Sequence, residues 1–206
     1  MLIEIHPKNP ETRKIQLIVD ALKKGAVIVY PTDTVYAFAC DINQKNAVEK
    51  ICKLKGIKPE KANFSIVCKD LRELSDFAKQ VDNQTFKAMK KALPGPYTFI
   101  LSASNKAPGI FRKSKKTIGI RIPQNNISIS IVEQLGNPIM TASIKDEDEI
   151  IEYPTDPVLI HERMEKHVFC VIDGGYGNNE ASTVIDCSSS SPVVIREGLG
   201  SLDDIL

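Results

Sequence analysis

The sequence predicts a mixed α/β fold built on one sheet. Segments with apolar residues at helical spacing alternate along the chain with short β-rich runs, and no internal repeat is present. At 206 residues the chain is long enough to bury a substantial core, and no break in composition marks a domain boundary. We therefore expect a single domain over residues 1–206.

The first half of the chain carries the alternation most plainly. Apolar residues at helical spacing predict a helix over 15–22, which Gly25 ends, and the apolar run 26–30 predicts a buried strand. The same reasoning predicts a helix over 46–54 and a strand over 64–68. Helix and strand thus follow each other twice within the first 70 residues, as in α/β proteins.

The second half continues the pattern with more strands. One or two helices are predicted over 71–92, closed by the Pro-Gly-Pro stretch at 94–96. Further strands are predicted over 97–101, 117–122, 138–143 and 168–172, with a helix over 127–135 before the third of them. Near the end, 182–186 and 193–196 are predicted to form a hairpin across the loop 188–191.

Charge is informative locally rather than globally. Lys and Arg number 27 against 26 for Asp and Glu, so the total gives no signal for a nucleic acid or a membrane surface. Two basic segments, 45–61 and 112–121, stand out in the middle of the chain. The lysines of the first are compatible with a solvated helix face. An anion site is the alternative, because the Lys55-Gly56 loop could bring lysines and backbone amides to phosphate oxygens.

Several classes of protein are excluded by pattern. The five cysteines are scattered without a CxxC pair, which predicts reduced core thiols rather than disulfides or a zinc site. His161 and His167 do not have HExxH spacing, and the consecutive acids 146–149 are interpreted as a solvated loop. The N-terminus lacks signal-peptide character and no stretch approaches the ~20 apolar residues of a membrane span, so a soluble, cytoplasmic protein without a membrane partner is expected.

The stretch VYPTDTVY, residues 29–36, crowds hydrogen-bonding side chains directly after a predicted buried strand. Pro31 cannot donate to a β-ladder, so the strand should end there. The side chains of Thr32, Asp33 and Thr34 are then available to neighbouring backbone or to a polar ligand. From the residues alone, a capped turn and the wall of a ligand pocket are equally compatible with this stretch.

Motifs in a fixed order along the chain resemble one known family. They are VIVYPTDTVYAFACDI, the Lys-Gly loop, PGPYTFIL, KTIGIRIP, PIMTASI and STVIDCSSSSPVVIREG, and together they resemble the YrdC/Sua5/YciO family over about residues 10–200. The resemblance implies a single YrdC-like α/β domain, a twisted mixed β-sheet with helices and a concave basic face proposed to bind double-stranded RNA. The resemblance also implies a reaction. The enzymatic members of the family make threonylcarbamoyl-AMP and pyrophosphate from L-threonine, bicarbonate and ATP, the first step of a tRNA modification at adenosine 37.

The resemblance also assigns positions to the two ligands. Thr34, Arg121 and Thr141 match threonine-binding positions, and a guanidinium fork is suited to grip a carboxylate. The nucleotide positions that it implies, or that are adjacent to them, are Lys55, Lys58, Thr117, Ser143, Lys145, Ser182 and Arg196. ATP is expected as a magnesium complex that serves as substrate, with no tightly bound cofactor and no protein metal site. Double-stranded RNA or tRNA is a further expected partner through the basic face.

The chain departs from the pattern of the active enzymes at three places. Lys55-Gly56-Ile57 lacks the arginine of the family's KxR motif, and Ser143-Ile144-Lys145 lacks the asparagine of its SxN motif. Tyr36-Ala37-Phe38-Ala39 replaces the glycine-rich YGLG stretch. Lys58 and Lys145 are candidates to replace the lost groups, although a lysine lacks the fork of an arginine. These departures resemble the YciO subgroup.

Three functions therefore stay open at the level of sequence. The first is a weakened threonylcarbamoyl-AMP synthase-like nucleotidyltransferase, whose reaction needs no side-chain nucleophile and for which Asp33 is the one general-base candidate. The second is a nucleotide- or double-stranded-RNA-binding protein that has lost the reaction. The third is a related adenylate-forming enzyme with another amino substrate.

Overall fold

The fold is described from a computed structural model, which covers residues 1–113, 116–144, 155–189 and 191–205. The strands of this part are β1 (Leu2–Glu4), β2 (Ile28–Tyr30), β3 (Ala37–Asp41), β4 (Ser65–Val67), β5 (Tyr97–Ser102), β6 (Thr117–Arg121), β7 (Ile139–Ser143), β8 (Cys170–Asp173), β9 (Thr183–Asp186) and β10 (Val193–Arg196). Its α-helices are α1 (Thr12–Lys23), α2 (Lys45–Leu54), α3 (Leu74–Phe77), α4 (Asn83–Ala92), α5 (Gly109–Lys113), α6 (Asn126–Leu135) and α7 (Pro157–Met164).

The strands form one mixed sheet in the order β1-β8-β2-β3-β7-β4-β6-β5-β9-β10. The pairs β1·β8, β2·β8, β4·β6 and β5·β9 are parallel, and the remaining neighbours are antiparallel. The predicted α/β class with a mixed sheet is therefore confirmed. The predicted hairpin near the C-terminus is also confirmed, as the antiparallel pair β9·β10.

The predicted helices over 15–22, 46–54 and 127–135 correspond to α1, α2 and α6. Gly25 and Gly56 follow the first two with positive φ angles of 85° and 65°, which glycine adopts without strain. The predicted segment 71–92 contains a 3₁₀ turn at Leu71–Glu73 and two helices, α3 and α4. The side chain of Asp82 caps α4 by accepting hydrogen bonds from the backbone N–H groups of Gln84 and Thr85.

Four elements had no counterpart in the sequence-based prediction: β1, β3, α5 and α7. Strand β3 is buried along its whole length, so it lacks the alternation of apolar and polar residues that reveals a half-exposed strand. Helix α7 ends at Met164, so His161 lies within it and His167 beyond it. The predicted acidic loop 146–149 lies outside the described residues.

The two faces of the sheet are covered unequally. On one face, α2, α4 and α7 contribute to a core with inward residues such as Phe38, Ile66 and Phe99. On the other face, α1 packs against α6, and the two helices cover β8, β2, β3, the first residue of β7 and the last residue of β4. The rest of that second face, from β7 across β4, β6 and β5 to β9, has no helix from this pair over it, and there the cavity described below is found.

Within the described ranges, no helix is both long and apolar enough to cross a bilayer. The five cysteines are thiols outside any disulfide, and four of them are buried, as predicted for core thiols. Burial raises the pKa of Cys187 to about 11 and that of Cys170 to about 12. It raises the pKa of the Cys40 and Cys68 thiols further still.

Candidate functional site

A cavity of about 470 Å³ lies over the part of the second sheet face that α1 and α6 leave uncovered. The register of the strands places a row of residues side by side across its floor, and the row runs Thr141, Ser65, Gly119, Ile100 and Asp186. Residues two apart in a strand share a face. Ser143, two residues after Thr141, and Arg121, two residues after Gly119, therefore lie on the same face as this row. Small and hydroxyl-bearing side chains therefore lie beside apolar ones such as Ile100 on this floor, whereas the opposite face of the same strands is apolar.

Gly119 lies where two strands leave least room. A Cβ atom at this position would stand 2.4 Å from the Ser65 hydroxyl oxygen and 3.1 Å from the Ser65 Cβ. A side chain at this position would require Ser65 to change its rotamer and β4 or β6 to shift by a few tenths of an ångström. The glycine of the GIRIP stretch thus keeps the centre of the cavity floor open.

Six of the residues predicted for ligand binding line this cavity. They are Thr117, Arg121, Thr141, Ser143, Ser182 and Arg196. Thr34 does not line this cavity, but its hydroxyl oxygen accepts a hydrogen bond of 3.1 Å from the lining residue Arg121, through Nη2. Residues from both ends of the chain are therefore brought to one place by the strand order.

Arg121 is the most constrained of these side chains. Its Nη2 also donates to Asp33 Oδ1 at 2.7 Å, and both members of this ion pair are less than a tenth exposed. Asp33 Oδ2 accepts from the backbone N–H of Gln124 at 3.0 Å, so the carboxylate is held from two sides. Arg121 Nε is buried and has no hydrogen-bond partner among the described residues. The guanidinium is thus held through Nη2, while its Nε–H group has no acceptor among the described residues.

The turn that carries Asp33 and Thr34 is rigid in its own right. The Thr32 hydroxyl donates to the Val35 carbonyl at 2.7 Å and accepts from the Thr34 N–H at 3.0 Å. Thr32 and Thr34 are both buried. The two interpretations of the VYPTDTVY stretch are therefore compatible, since the turn is capped internally and also forms a cavity wall.

Other hydroxyl groups of the floor bond to protein partners. Thr141 Oγ1 accepts a hydrogen bond of 2.9 Å from the Tyr30 hydroxyl, and burial raises the pKa of Tyr30 to about 12. The hydroxyl groups of Thr98 and Ser182 lie 2.9 Å apart. These bonds fix the side chains, while each oxygen keeps a further lone pair for another donor.

Two predicted nucleotide-binding cations make contacts with backbone carbonyl groups. Lys55 Nζ donates to the Ser143 carbonyl at 2.8 Å, and Arg196 donates through Nε and Nη2 to the Ser182 carbonyl at 3.1 and 3.0 Å. Each of these cations is therefore bonded to the backbone of a residue that is itself predicted to bind nucleotide, Ser143 or Ser182. Lys55 itself is half-buried at the end of α2 and does not line the cavity.

The remaining predicted residues are placed differently. Lys58 is exposed, precedes the 3₁₀ turn Pro59–Lys61 and does not line the cavity. Lys145 lies outside the described residues. Ile57, where the resemblance implied an arginine in the active enzymes, is half-buried and packs against the hydrophobic core.

The structure adds residues that sequence reasoning did not select. Asn63, Ser65, Thr98 and Asp186 line the cavity, and Asp186 is the one carboxylate among its described lining residues. Asp186 Oδ1 accepts from the Ser188 N–H at 2.8 Å. Three of them belong to strands in which polar and apolar residues alternate, so the side-chain period of two was an available signal. Within the described residues, no cluster of three or more metal-ligating side chains occurs.

The comparisons with known proteins agree with this architecture. The family model of the Sua5/YciO/YrdC proteins, described as telomere recombination, matches residues 20–198. The chain therefore belongs to the Sua5/YciO/YrdC family, a class of α/β proteins with a mixed open sheet.

Two relatives represent two branches of this family. The chain is 43% identical to the uncharacterized protein YciO of Escherichia coli K12 over 98% of its own length and 97% of that protein. It superimposes on the crystal structure of E. coli YciO with a TM-score of 0.92, 41% identity and coverage of 100% and 99% of the two chains.

The second relative is an enzyme. The chain is 28% identical to the threonylcarbamoyl-AMP synthase of Pyrococcus abyssi over 95% of its length but 57% of that protein. It also superimposes on P. abyssi Sua5 in complex with L-threonine, with a TM-score of 0.86 and 27% identity over 96% and 57% of the two chains. The chain thus spans little more than half of this longer relative.

Proposed function

We propose that the cavity binds L-threonine next to ATP and that the protein is a threonylcarbamoyl-AMP synthase-like nucleotidyltransferase with a weakened phosphate clamp. The observation that carries this proposal is the buried Arg121 guanidinium in the cavity wall, oriented by Asp33 and Thr34. A guanidinium with unused donors is suited to a carboxylate, which amino acids supply. The similarity to a threonylcarbamoyl-AMP synthase and to a threonine-bound relative supports threonine as that amino acid.

The proposed reaction requires positioning more than side-chain chemistry. The threonine amine attacks carbon dioxide derived from bicarbonate and gives a carbamate after loss of a proton. A carbamate oxygen then attacks the α-phosphorus of ATP, a new P–O bond forms, and pyrophosphate leaves with the electrons of the broken P–O bond. Arg121 would hold the threonine carboxylate, and the ATP would enter as its magnesium complex.

Asp33 is held between Arg121 and the backbone in this arrangement, which suits a positioning role better than that of a general base. Both of its oxygens accept hydrogen bonds, one from Arg121 and one from the Gln124 backbone. Its role is that of a positioning residue for Arg121. Asp186 is the carboxylate that lines the cavity. A single carboxylate together with substrate phosphates is a common way for Mg²⁺ to be held, so Asp186 is the candidate to contact the magnesium complex of ATP.

The weakness of the proposed clamp follows from Ile57 and Lys55. An apolar, half-buried Ile57 cannot replace an arginine that would grip phosphate oxygens, and Lys55 reaches the Ser143 carbonyl. The loss of one oriented, charged contact to developing charge commonly lowers a rate by about 10² to 10³. We therefore expect slow turnover.

A second function is favoured by the same packing of Ile57. A chain in which core packing takes the place of a phosphate contact is expected to bind nucleotide or double-stranded RNA without reaction. The exposed lysines of α2 provide a surface for an RNA backbone. Such binding should weaken steeply as salt rises, whereas threonine binding in a hydrogen-bonded cavity should respond much less.

The deciding experiment is pyrophosphate release from ATP with magnesium, bicarbonate and L-threonine, compared with omission of threonine and with other amino acids. We expect slow, threonine-dependent release that increases in the double variant Ile57→Arg, Lys145→Asn. Absence of release in both proteins would overturn the catalytic proposal and leave the binding function. Release that depends on a different amino acid would instead establish another amino substrate.

A binding measurement separates the amino-acid site from the chemistry. In calorimetry, Arg121→Lys should weaken L-threonine binding by about tenfold or more, since a charge-assisted bond contributes roughly 1.5 to 3 kcal/mol. The matched control is Arg72→Lys, because Arg72 is a surface residue paired with Asp70. Equal threonine affinity in the Arg121→Lys variant would contradict the assignment of Arg121.

A further inference from the structure

A second cavity of about 510 Å³ lies against the same turn. It is lined by polar groups that include Thr32, Asp33, Asn125, Thr155, Tyr176 and Asn179. Among its described lining residues, Thr34 is the one position predicted to bind threonine or nucleotide, and the two cavities have no lining residue in common. This cavity is therefore separate from the first one, although the Asp33–Arg121 ion pair joins their walls.

The loop that borders this cavity is held firmly by its glycines. Gly175 has a φ of 95°, and Cβ atoms at Gly174 and Gly177 would stand 2.8 Å from Pro31 and 2.7 Å from the Tyr36 ring. The Tyr36 hydroxyl donates to the Gly175 carbonyl at 2.7 Å and accepts from the Gly174 N–H. The backbone of the loop is thus packed and bonded on both sides of residue 176.

Tyr176 is the exception in this packed loop. Its side chain is 81% exposed, the highest value among the exposed large apolar residues of the described chain. The hydrogen bonds that fix the loop use its backbone and the Tyr36 hydroxyl, so they do not require an aromatic ring at position 176. A flat ring is therefore presented to solvent from a fixed backbone at the edge of a polar cavity.

The charges of this cavity are balanced. Asp33 is the one ionisable acid or base with a charge at neutral pH among its described lining residues, and it is paired with Arg121. The Asn179 side-chain amide makes no hydrogen bond to a described residue, and the same holds for the Asn178 Nδ2 donors. A neutral ligand with a flat face and hydrogen-bonding edges matches these groups better than a phosphate or an amine.

We propose that this second cavity binds an unpaired purine base. The base stacks on the Tyr176 ring, as bases do on exposed aromatic side chains of RNA-binding proteins. The Asn179 amide offers a donor and an acceptor side by side, the pairing that asparagine makes with adenine N6 and N7. The base can come from a free nucleoside or from a single-stranded RNA, and the site does not depend on the proposed synthase reaction.

The test uses a readout at Tyr176 itself. The protein is labelled with ¹³C-tyrosine, and the Tyr176 ring signal is identified by its absence in Tyr176→Phe. Adenosine or single-stranded oligoadenylate is then added in the absence of ATP, so that no other adenine competes for the Tyr176 ring and the signal reports this cavity alone. We expect a saturable upfield shift of the Tyr176 ring. If oligoadenylate binds much more tightly than adenosine, the source is an RNA strand, and equal affinities indicate the nucleoside.

Variants then assign the binding energy. Tyr176→Ala and Asn179→Ala should each weaken binding by roughly tenfold or more, while Tyr176→Phe should keep most of the affinity because stacking is retained. Phe86→Ala is the matched control, since Phe86 is a partly exposed aromatic residue of α4. A Tyr176 ring that does not shift, or equal affinity in the Tyr176→Ala variant, would overturn the proposal whether or not the first cavity binds threonine.

Discussion

At the scale of single residues, the ion pair of Arg121 with Asp33 joins the VYPTDTVY turn to strand β6. Both partners are nearly excluded from water, with side chains 9% and 8% exposed. Two charges in such a place are stable only while they are paired and hydrogen-bonded. The pair therefore serves the turn as well as the cavity.

The substitution Asp33→Asn should lower the free energy of unfolding by about 3 kcal/mol, because it leaves the Arg121 charge buried without its partner. Urea unfolding of the two proteins measures this difference. Asp70→Asn removes an ion pair in which Arg72 is 89% exposed, and it should cost less than about 1 kcal/mol. Similar losses in the two variants would contradict the buried role of the Asp33 carboxylate.

Tyr36, directly before β3, makes a second connection, a hydrogen bond from its hydroxyl group to the loop after β8. The substitution Tyr36→Phe should lower the unfolding free energy by about 1 to 2 kcal/mol, because the Gly175 carbonyl loses its hydroxyl donor. Tyr176→Phe is the control and should change stability little, since Tyr176 is exposed. Thermal unfolding that shifts equally in both variants would argue against a bond between Tyr36 and the loop.

At the scale of elements, the cavity depends on how closely β4 and β6 approach. Ser65 and Gly119 are direct partners in this parallel pair. The substitution Gly119→Ala should destabilise the protein by about 1 to 3 kcal/mol, because its Cβ would overlap the Ser65 side chain.

A companion substitution tests the cause of that loss. Ser65→Gly removes the overlapping atoms, so the double variant should regain part of the stability lost in Gly119→Ala. Gly109→Ala is the matched control, since a Cβ at Gly109 meets no atom within 4 Å. The steric explanation fails if Ser65→Gly adds its own loss without any recovery, which chemical unfolding of the four proteins would reveal.

The predictability of the elements follows their periodicity. Helices α1, α2 and α6 each bury one apolar stripe, and that stripe is legible in the sequence. Strand β3 is buried on both faces, so neither period two nor period 3.6 appears in it. The break between α3 and α4 was also not resolved by pattern, because apolar residues continue across it.

At the scale of the whole molecule, burial of thiol and phenol groups links stability to alkaline pH. The folded protein holds the pKa of Cys187 at about 11, and that of Cys170 and Tyr30 at about 12, above their values in an unfolded chain. The folded state thus keeps protons that the unfolded state releases from about pH 9 upward. The contribution is fully present below that pH and is lost as the pH rises toward 12.

These groups should therefore change the free energy of unfolding very little between pH 7 and 8. By pH 10.5 they should lower it by roughly 2 kcal/mol or more. Urea titrations across this range provide the measurement. Cys170→Ala removes one contributing thiol, so its curve should fall less steeply than that of the native protein. An unchanged slope would mean that Cys170 does not contribute to the alkaline loss.

The cavity itself is a property of the whole sheet. Helices α1 and α6 cover part of one face and leave the part from β7 to β9 uncovered. Thr34 and Arg121 are far apart in sequence but lie in contact, because turn and strand meet across the ordered sheet. Such a meeting depends on strand order, which no local window of sequence contains.

The sequence by itself determined the α/β class, the main helices, the C-terminal hairpin and the family, because periodicity, turn residues and ordered motifs are local properties of the chain. Only the tertiary structure decided how the predicted cations are used: Lys58 faces solvent, while Lys55 and Arg196 donate to backbone carbonyl groups. It also decided that Asp33 is paired with Arg121. The physical reason is that a charged side chain is oriented by neighbours distant in sequence, and these are set by the packing of the sheet rather than by local pattern.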